Sequence, residues 1–338
     1  MDLNLIWFGL IAVLLTGYAI LDGFDFGVGI LHLFARTDEE RRVHMNAIGP
    51  VWDGNEVWLL TGGGALFAAF PAVYATVFSG FYIALMLLLV ALIFRAVSFE
   101  FRGKVESASW RRAWDWAFGL GSLLPALLFG VALGNILRGI PIDANGNFTG
   151  TFLGLLNPYA LLIGILSLTL FTMHGAIYLM MKTDGGLRER AHKWATGAWM
   201  AFVLLYIAAT LSSMIVSPFL FGGMMAHPLF YVFFLILLAA VILIPVFIAA
   251  GKYFRAFLAS STMIAAMMGL MAVSLFPRMV PSSINLEYSL TAYNASSSEI
   301  TLQTMLVIAL IGMPLVIAYS IFIHRVFRGK VEITKESY

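Results

Sequence analysis

Two pairs of carboxylates lie in otherwise apolar segments near the beginning of the chain. Asp53 and Glu56 are three residues apart within the stretch Pro50–Trp58. Asp22 and Asp25 have the same spacing. Side chains at this spacing share one face of a helix. Carboxylates inside a membrane span are costly, face the protein interior or water, and usually mark a route for protons or ions. These four acids are therefore the first candidates for chemistry.

The histidines indicate whether the chain could carry haem. Haem iron within a membrane takes axial ligands such as His or Met. A single histidine in the middle of a span cannot build an electron path through several haems. Only His174 is deep in an apolar run, where it is either a hydrogen-bonded interior residue or a ligand. The others lie near the ends of such runs or between them: His32, His44, His192, His227 and His324.

The composition is that of an integral membrane protein. Of 338 residues, 61% are hydrophobic and 11% are charged, whereas soluble domains are about one quarter charged. No loop is long enough for a soluble domain, so we expect residues 1–338 to form a single membrane domain. The net charge of +2 gives no indication of nucleic-acid binding. The absence of cysteine excludes disulfides and thiolate metal sites.

The apolar runs predict an all-α membrane protein with nine transmembrane helices. A helix needs about 20 apolar residues to cross the bilayer core. Between the first two runs, the acids that follow Thr37 predict a short surface helix with Thr37 as its N-cap. The runs cover residues 5–33, 49–70, 73–94, 117–137, 156–181, 195–216, 228–250, 256–276 and 302–327.

The basic residues predict the orientation of these helices. Seventeen Lys and Arg residues lie in alternate loops and the C-terminal tail, whereas the other loops carry only Arg138 and Arg278. Arg95, at the end of the third run, completes the count. By the positive-inside rule the basic loops are cytoplasmic. This distribution predicts an N-terminus outside, a C-terminus in the cytoplasm and therefore an odd number of spans, which nine satisfies.

The buried charges have more than one interpretation at this stage. Asp53 lies about one turn from the cytoplasmic start of its helix, where it could accept protons, cap the helix or pair with Arg95. Asp22 and Asp25 either relay protons or cations or hydrogen-bond a neighbouring helix. Arg95 is either a counter-ion for one of the acids or a ligand for an anionic head group or cofactor carboxylate. We expect Glu100, near the same helix end, to take part in structural ion pairing.

Glycine pairs predict close helix contacts. Gly23 and Gly27, and Gly130 and Gly134, are each four residues apart. Small residues at this spacing let the backbones of two membrane helices approach closely. The contacts are either within this chain or with another subunit.

Several motifs in order along the chain identify a family resemblance. Each motif is weak alone, but their order and spacing together are specific, and the sequence resembles subunit II of the cytochrome bd-type quinol oxidases. The matching segments are Asp22–Gly29, Pro50–Pro71, Phe94–Arg95 with Phe99–Arg102, Trp110–Arg111 with Trp114–Asp115, Gly121–Pro125, Gly130–Asn135, Leu156–Pro158, Pro281–Ser283 and Asn294–Leu302.

The resemblance implies a heterodimer in the bacterial cytoplasmic membrane. The partner, subunit I, would hold two b-type haems and haem d, oxidise quinol and reduce O2 to water, with protons drawn from the cytoplasm. The present chain would ligate no haem, could hold a structural quinone, and would fold as two four-helix bundles plus one peripheral helix. A small accessory transmembrane subunit and membrane lipid are further expected partners.

The resemblance also assigns candidate site residues. Asp53 matches the family's Trp-Asp-Gly-Asn acid and is expected to be the proton-path carboxylate. Asp22 and Asp25 match the acids of the family's first span. The remaining residues expected in or around the path are Glu56, Trp52, Trp58, Asp25 and Asp22.

Three functions are compatible with these residues. The first is a required subunit of a quinol:O2 oxidoreductase that supports subunit I and supplies a cytoplasmic proton-uptake path. The alternative is a proton-coupled secondary transporter, although no inverted repeat is evident and the acids gather on one side. The third is an assembly scaffold, in which all four acids would tolerate replacement by amides.

Overall fold

The computed structural model describes residues 2–333 and is almost entirely helical within them. Two short antiparallel strands, β1 (Arg278–Val280) and β2 (Leu290–Thr291), lie in the last long loop. The helices are α1 Leu3–His32, α2 Asp38–Ile48, α3 Trp52–Ala69, α4 Pro71–Gly80, α5 Tyr82–Phe101, α6 Ala108–Arg138, α7 Pro158–Lys182, α8 Gly185–Val216, α9 Pro228–Ala249, α10 Tyr253–Leu275 and α11 Glu299–Val326.

Helix α1 is the centre of the fold. Its 30 residues span about 45 Å at the α-helical rise, and its first turn is capped by Asp2, whose Oδ1 accepts a hydrogen bond from the amide of Leu5 at 3.1 Å. Every residue from 22 to 32 is buried, because α3, α6, α7 and α10 pack around this half of the helix. The acids of α1 therefore lie in the protein interior.

The remaining helices form two groups around α1. Helices α3 and α6 pack against α1, and α5 packs against α6. Helices α7 to α10 form the second group, in which α7 contacts both α6 and α1, and α10 also contacts α1. Helix α11 lies on the outside against α3 and α1, and most of its apolar side chains are exposed. This is the packing of an α-helical membrane protein whose outer surface is apolar.

Glycines allow α7 to contact both α1 and α6 at backbone distance. A Cβ atom on Gly27 would lie 1.9 Å from the Phe171 carbonyl oxygen, and one on Gly175 would lie 2.4 Å from the carbonyl carbon of Gly27. Gly130 and Gly134 approach the backbone of α7 in the same way. The prediction of close helix contacts is confirmed, and the contacts are within this chain.

The third apolar run is divided in a way that hydropathy did not predict. Within residues 2–333, eight helices could cross a membrane, or nine if α3 and α4 are one span bent by 119°. The prediction of one span over 73–94 was wrong, because α4 ends at Gly80 and α5 runs from Tyr82 to Phe101. The run is divided at Phe81, between these two helices. The break at Pro71, whose ring keeps Phe70 out of the helical conformation, lies at the predicted boundary between the second and third runs.

The short surface helix α2 forms as predicted. The Thr37 hydroxyl accepts a hydrogen bond from the amide of Glu40 at 3.2 Å, and three acids occupy the first turn. Acids are favourable at this end of a helix because the backbone dipole is positive there. Helix α2 connects the end of α1 to the start of α3, which carries Asp53 and Glu56.

Candidate functional site

A fully buried arginine organises the acids of the first bundle. The guanidinium of Arg95, on α5, binds both oxygens of Asp22, with Nη2 to Oδ1 at 2.5 Å and Nη1 to Oδ2 at 3.1 Å. This parallel pairing matches the planar geometry of both groups. Gly121 allows α6 to approach closely, since a Cβ there would lie 2.9 Å from the Arg95 backbone nitrogen. Arg95 is thus held between α1 and α6.

Two more carboxylates face the same guanidinium. Glu56 Oε1 lies 3.4 Å from Nη1 of Arg95, and Asp25 Oδ2 lies 3.9 Å from Nη2. The guanidinium carbon lies 4.5 Å from the centre of the Phe26 ring, a cation–π distance. We call Asp22, Asp25, Glu56 and Arg95 the Arg95 cluster. It contains three carboxylates and one cation.

Asn55 also joins this cluster, a contact that the sequence did not predict. Its side chain is 1% exposed, and Nδ2 donates to Asp25 Oδ2 at 2.7 Å and to the Leu21 carbonyl at 3.3 Å. The sequence offered one indication of this contact. Asn55 is an amide beside acids in an apolar run, and amide side chains in such runs hydrogen-bond to neighbouring membrane helices. Which helix it would meet could not be read from the sequence.

The other predicted residues of the motif lie outside the Arg95 cluster. Asp53 is exposed and has no hydrogen bond or ion pair with another residue in the described part of the chain. Trp52 stacks on Phe99 at 5.0 Å between ring centres. Trp58 is buried against Gly17, where a Cβ atom would lie 2.2 Å from the indole ring. The motif therefore has an exposed acid at the start of α3 and buried groups further along it.

Glu100 is also separate from these acids. It is exposed in the last turn of α5 and forms no ion pair with any residue between 2 and 333. No contact in the described chain therefore supports the prediction that Glu100 takes part in ion pairing.

A second charged cluster, which the sequence analysis did not identify, lies at the basic ends of the helices. Asp115 Oδ1 is 2.9 Å from His32 Nε2 and accepts a hydrogen bond from Nε of Arg102 at 2.6 Å. Arg102 Nη2 also donates to Asp38 at 2.5 Å. Burial opposes the charge on Arg102, but its bonds to the two aspartates outweigh this and raise its pKa. The cluster fastens α2 to α1, α5 and α6.

His44, on α2, is enclosed beside this second cluster. It is fully buried, with its ring 6.0 Å from that of His32 and 6.4 Å from that of Trp194. Neither ring nitrogen has a hydrogen-bond partner among the described residues. Burial, and then the neighbouring His32 and Arg190, lower the pKa of His44 well below its usual value. The folded protein therefore holds His44 in its neutral form.

We expect His44→Phe to reduce the acid sensitivity of the folded protein. In the unfolded chain His44 takes up a proton near pH 6.5, whereas the folded protein resists protonation, so stability falls as pH drops through that value. The slope is at most about 1.4 kcal/mol per pH unit. Thermal unfolding at pH 7.5 and 5.5 should show a loss about 1 kcal/mol smaller in the variant than in the wild type. His192→Phe is the control, and equal acid sensitivity in His44→Phe and the wild type would contradict the expectation.

His174 is a hydrogen-bonded interior residue in this structure. Its Nδ1 lies 2.7 Å from the Ser260 hydroxyl and its Nε2 lies 3.0 Å from the Ile20 carbonyl. The imidazole stacks on Phe257 at 4.7 Å. Both ring nitrogens are therefore engaged. Within residues 2–333, no group of three or more His, Asp or Glu residues is arranged to hold a metal ion.

Known proteins with similar sequences are subunits of cytochrome oxidases. The chain is 41% identical to cytochrome bd ubiquinol oxidase subunit 2 of Bacillus subtilis, covering 98% of this chain and 97% of the relative. It is 37% identical to cytochrome bd-I ubiquinol oxidase subunit 2 of Escherichia coli, covering 99% and 96%. A probable cytochrome oxidase subunit 2 of Haemophilus influenzae is 39% identical, covering 98% and 95%.

A solved structure and a family model also match this chain over nearly its whole length. A chain in the bd oxidase structure from Geobacillus thermodenitrificans superposes with a TM-score of 0.79, covering 97% of this chain and 99% of that one, at 19% identity. At that identity the match concerns the fold alone. The family model for cytochrome bd terminal oxidase subunit II matches residues 3–327. The chain therefore belongs to the cytochrome bd terminal oxidase subunit II family.

Proposed function

We propose that this chain carries protons from the cytoplasm to the haem-bearing subunit I of a bacterial cytochrome bd quinol oxidase in the inner membrane. The complex would oxidise quinol and reduce O2 to water. The observation that carries the proposal is the Arg95 cluster, which holds three carboxylates around one cation deep in the first bundle. The transporter alternative is not favoured, because the curated relatives are oxidase subunits.

The exposure of the acids supports a path along the start of α3. Asp53 is exposed, the Glu56 side chain one turn further is 26% exposed, and Asp25 is completely buried. Buried carboxylates are costly unless they are paired or neutralised. Since one guanidinium faces three carboxylates, protons are the simplest way to neutralise the excess charge. The cluster could therefore accept protons entering at Asp53 and release them.

Partnerless polar atoms give further support for proton movement through this region. In and around the Arg95 cluster, four buried atoms have no hydrogen-bond partner among the described residues: Tyr18 Oη, Asp25 Oδ1, Trp58 Nε1 and Arg95 Nε. Buried polar atoms normally have partners, and internal water is a common one. Water held between Trp58 and Asp25 would connect the carboxylates into a proton-conducting chain.

The proposal places the haems in subunit I. The engagement of both His174 nitrogens in hydrogen bonds supports a chain that ligates no haem. The role of this chain is then to deliver a reactant, since O2 reduction consumes protons, and uptake from the cytoplasmic side alone makes the reaction electrogenic. A single domain over residues 1–338, a structural quinone, a small accessory subunit and bound lipid stay predictions.

We further propose nine spans with the N-terminus outside and the C-terminus in the cytoplasm. The distribution of basic residues supports this orientation. The native sequence has no cysteine, so single substitutions can test it without background. Lys104→Cys is expected to react with an impermeant maleimide only from the cytoplasmic side, and Asn145→Cys only from outside. The reverse pattern would overturn the orientation.

The proton path can be tested with Glu56→Gln in the assembled complex. We expect proton uptake from the cytoplasmic side and O2 reduction to fall together by about tenfold. This is less than the hundredfold or more typical of a lost proton-transfer group, because Asp25 remains. The measurement is the initial rate of O2 consumption and internal pH change in proteoliposomes supplied with quinol. Glu287→Gln, on an outer loop, is the control, and unchanged rates in Glu56→Gln would contradict a role for this residue.

A further inference from the structure

The two acids of α1 differ in what holds them. Both oxygens of Asp22 bind the guanidinium of Arg95. Asp25 lies 3.9 Å from that guanidinium, and its closest polar partner is the neutral amide of Asn55, 2.7 Å from Oδ2. Its other oxygen, Oδ1, has no hydrogen-bond partner among residues 2–333 although it is buried. Asp22 is thus an ion-paired carboxylate, whereas Asp25 has one oxygen free to take a proton.

The orientation of the Asn55 amide is determined by its neighbours. Its Nδ2 lies within hydrogen-bond distance of two oxygens, those of the Leu21 carbonyl and of Asp25 Oδ2. A carbonyl oxygen can only accept a hydrogen bond, so the group facing it must be the amide nitrogen. Asn55 is 1% exposed, which prevents water from replacing these contacts. Its N–H therefore remains directed at Oδ2.

We propose that Asn55 is a positioning residue that directs the transferred proton to Oδ1 of Asp25. A proton on Oδ2 would face the N–H of Asn55 and break that hydrogen bond, whereas a proton on Oδ1 leaves it intact. In the protonated state Oδ2 is then the carbonyl oxygen and still accepts from Asn55. The inference rests on the proposed proton path, in which the proton arrives from the Glu56 side and leaves towards subunit I without any electron transfer through this chain.

The charged and titratable groups around Asp25 agree with this assignment. They are Asp22 on the same helix, Glu56 on α3, Arg95 on α5 and Tyr178 on α7. Arg95 approaches Asp25 on the Oδ2 side, where its positive charge also disfavours a proton. Both neighbouring donors therefore act on the same oxygen and leave Oδ1 as the site for protonation.

Infrared difference spectroscopy of the whole complex during reduction tests the assignment. A protonated Asp25 contributes a carboxylic acid C=O stretch, which Asp25→Asn should remove. Asn55→Leu and the smaller Asn55→Ala should move this band to higher wavenumber, because the carbonyl oxygen loses its donor, and should lower O2 turnover about tenfold. Asn55→Gln, which keeps an amide donor, should return the band and the turnover towards wild-type values.

The outcomes separate the positioning role from the path itself. If Asp25→Asn removes the band and slows turnover but both Asn55→Leu and Asn55→Ala leave the band position and the turnover unchanged, the positioning role is overturned while the path stands. If Asp25→Asn leaves both the band and the turnover unchanged, Asp25 carries no proton and the path through it fails as well. A shifted band and lowered turnover in both Asn55 variants, restored by Asn55→Gln, supports the inference.

Discussion

Replacing Arg95 with glutamine is expected to lower the free energy of unfolding of this chain by about 3–5 kcal/mol, the usual cost of removing one partner from a buried ion pair. The guanidinium is fully buried and is the only cation within 4 Å of Asp22, Asp25 and Glu56 among residues 2–333. Its loss leaves three carboxylates without a counter-ion. The measurement is the unfolding midpoint and the yield of the assembled complex, compared with the wild type.

A second substitution separates charge from packing in this result. Adding Asp22→Asn to Arg95→Gln removes the carboxylate whose two oxygens bind Arg95 in the wild type. We therefore expect the double variant to regain part of the stability that Arg95→Gln loses. The difference between the double variant and the sum of the singles gives the interaction energy of the pair. Arg95→Lys keeps the charge but not the planar fork, and should lie between wild type and Arg95→Gln. A fully stable Arg95→Gln complex would contradict an ion-pair role.

The pattern of apolar residues and the positions of small residues predicted the membrane helices well, because both are properties of short segments of the chain. The close contacts of Gly27 and Gly130 follow from side-chain size alone, and the start of α2 follows from the hydroxyl of Thr37 and the acids after it. The break at Phe81 between α4 and α5 was missed because hydropathy averages over a window and does not show where a helix ends inside a continuous apolar run.

The site itself could be predicted only in part. Spacing indicated that Asp22 and Asp25 share a face, but not that Arg95 would bind one and Asn55 the other. Those partners come from two different helices, and the choice depends on how far each helix slides and turns against α1. The same reason hid the contact between His32 and Asp115, which are 83 residues apart in sequence. Side-chain chemistry can be read from sequence, whereas pairing across helices requires the packed structure.

The exposure of Asp53 changes how its role is tested. Two structural alternatives from the sequence were a helix cap and an ion pair with Arg95. The N-cap position of α3 is Val51, with no side-chain cap hydrogen bond, and Arg95 pairs with the acids of the Arg95 cluster instead. Asp53 therefore has no contact within the described chain whose loss would weaken the fold. A functional change on substitution would then report on function directly.

Asp53→Asn is expected to slow O2 reduction and cytoplasmic proton uptake by about a hundredfold, in the range for a lost proton-transfer group. The effect should exceed that of Glu56→Gln, because no other carboxylate lies at the proposed entrance to take over, whereas Asp25 lies in the same cluster as Glu56. An amide has nearly the same shape as the acid but cannot pick up and release a proton at working pH. The measurement is turnover and proton uptake of the complex in proteoliposomes.

The stability of the Asp53→Asn complex shows whether slow turnover comes from a lost proton carrier or from a weakened fold. Because Asp53 is exposed and has no partners, its substitution should change the free energy of unfolding of the complex by no more than about 0.5 kcal/mol. Slow turnover at unchanged stability would therefore assign Asp53 to the path. Asp184→Asn is the control for turnover, since it removes an exposed carboxylate that lies away from the cluster and pairs with Arg188 and Lys330. Its turnover should stay at the wild-type level. If Asp53→Asn also turns over and takes up protons normally, protons do not enter at this residue. A scaffold role for the chain would require the other three acids to tolerate amides as well.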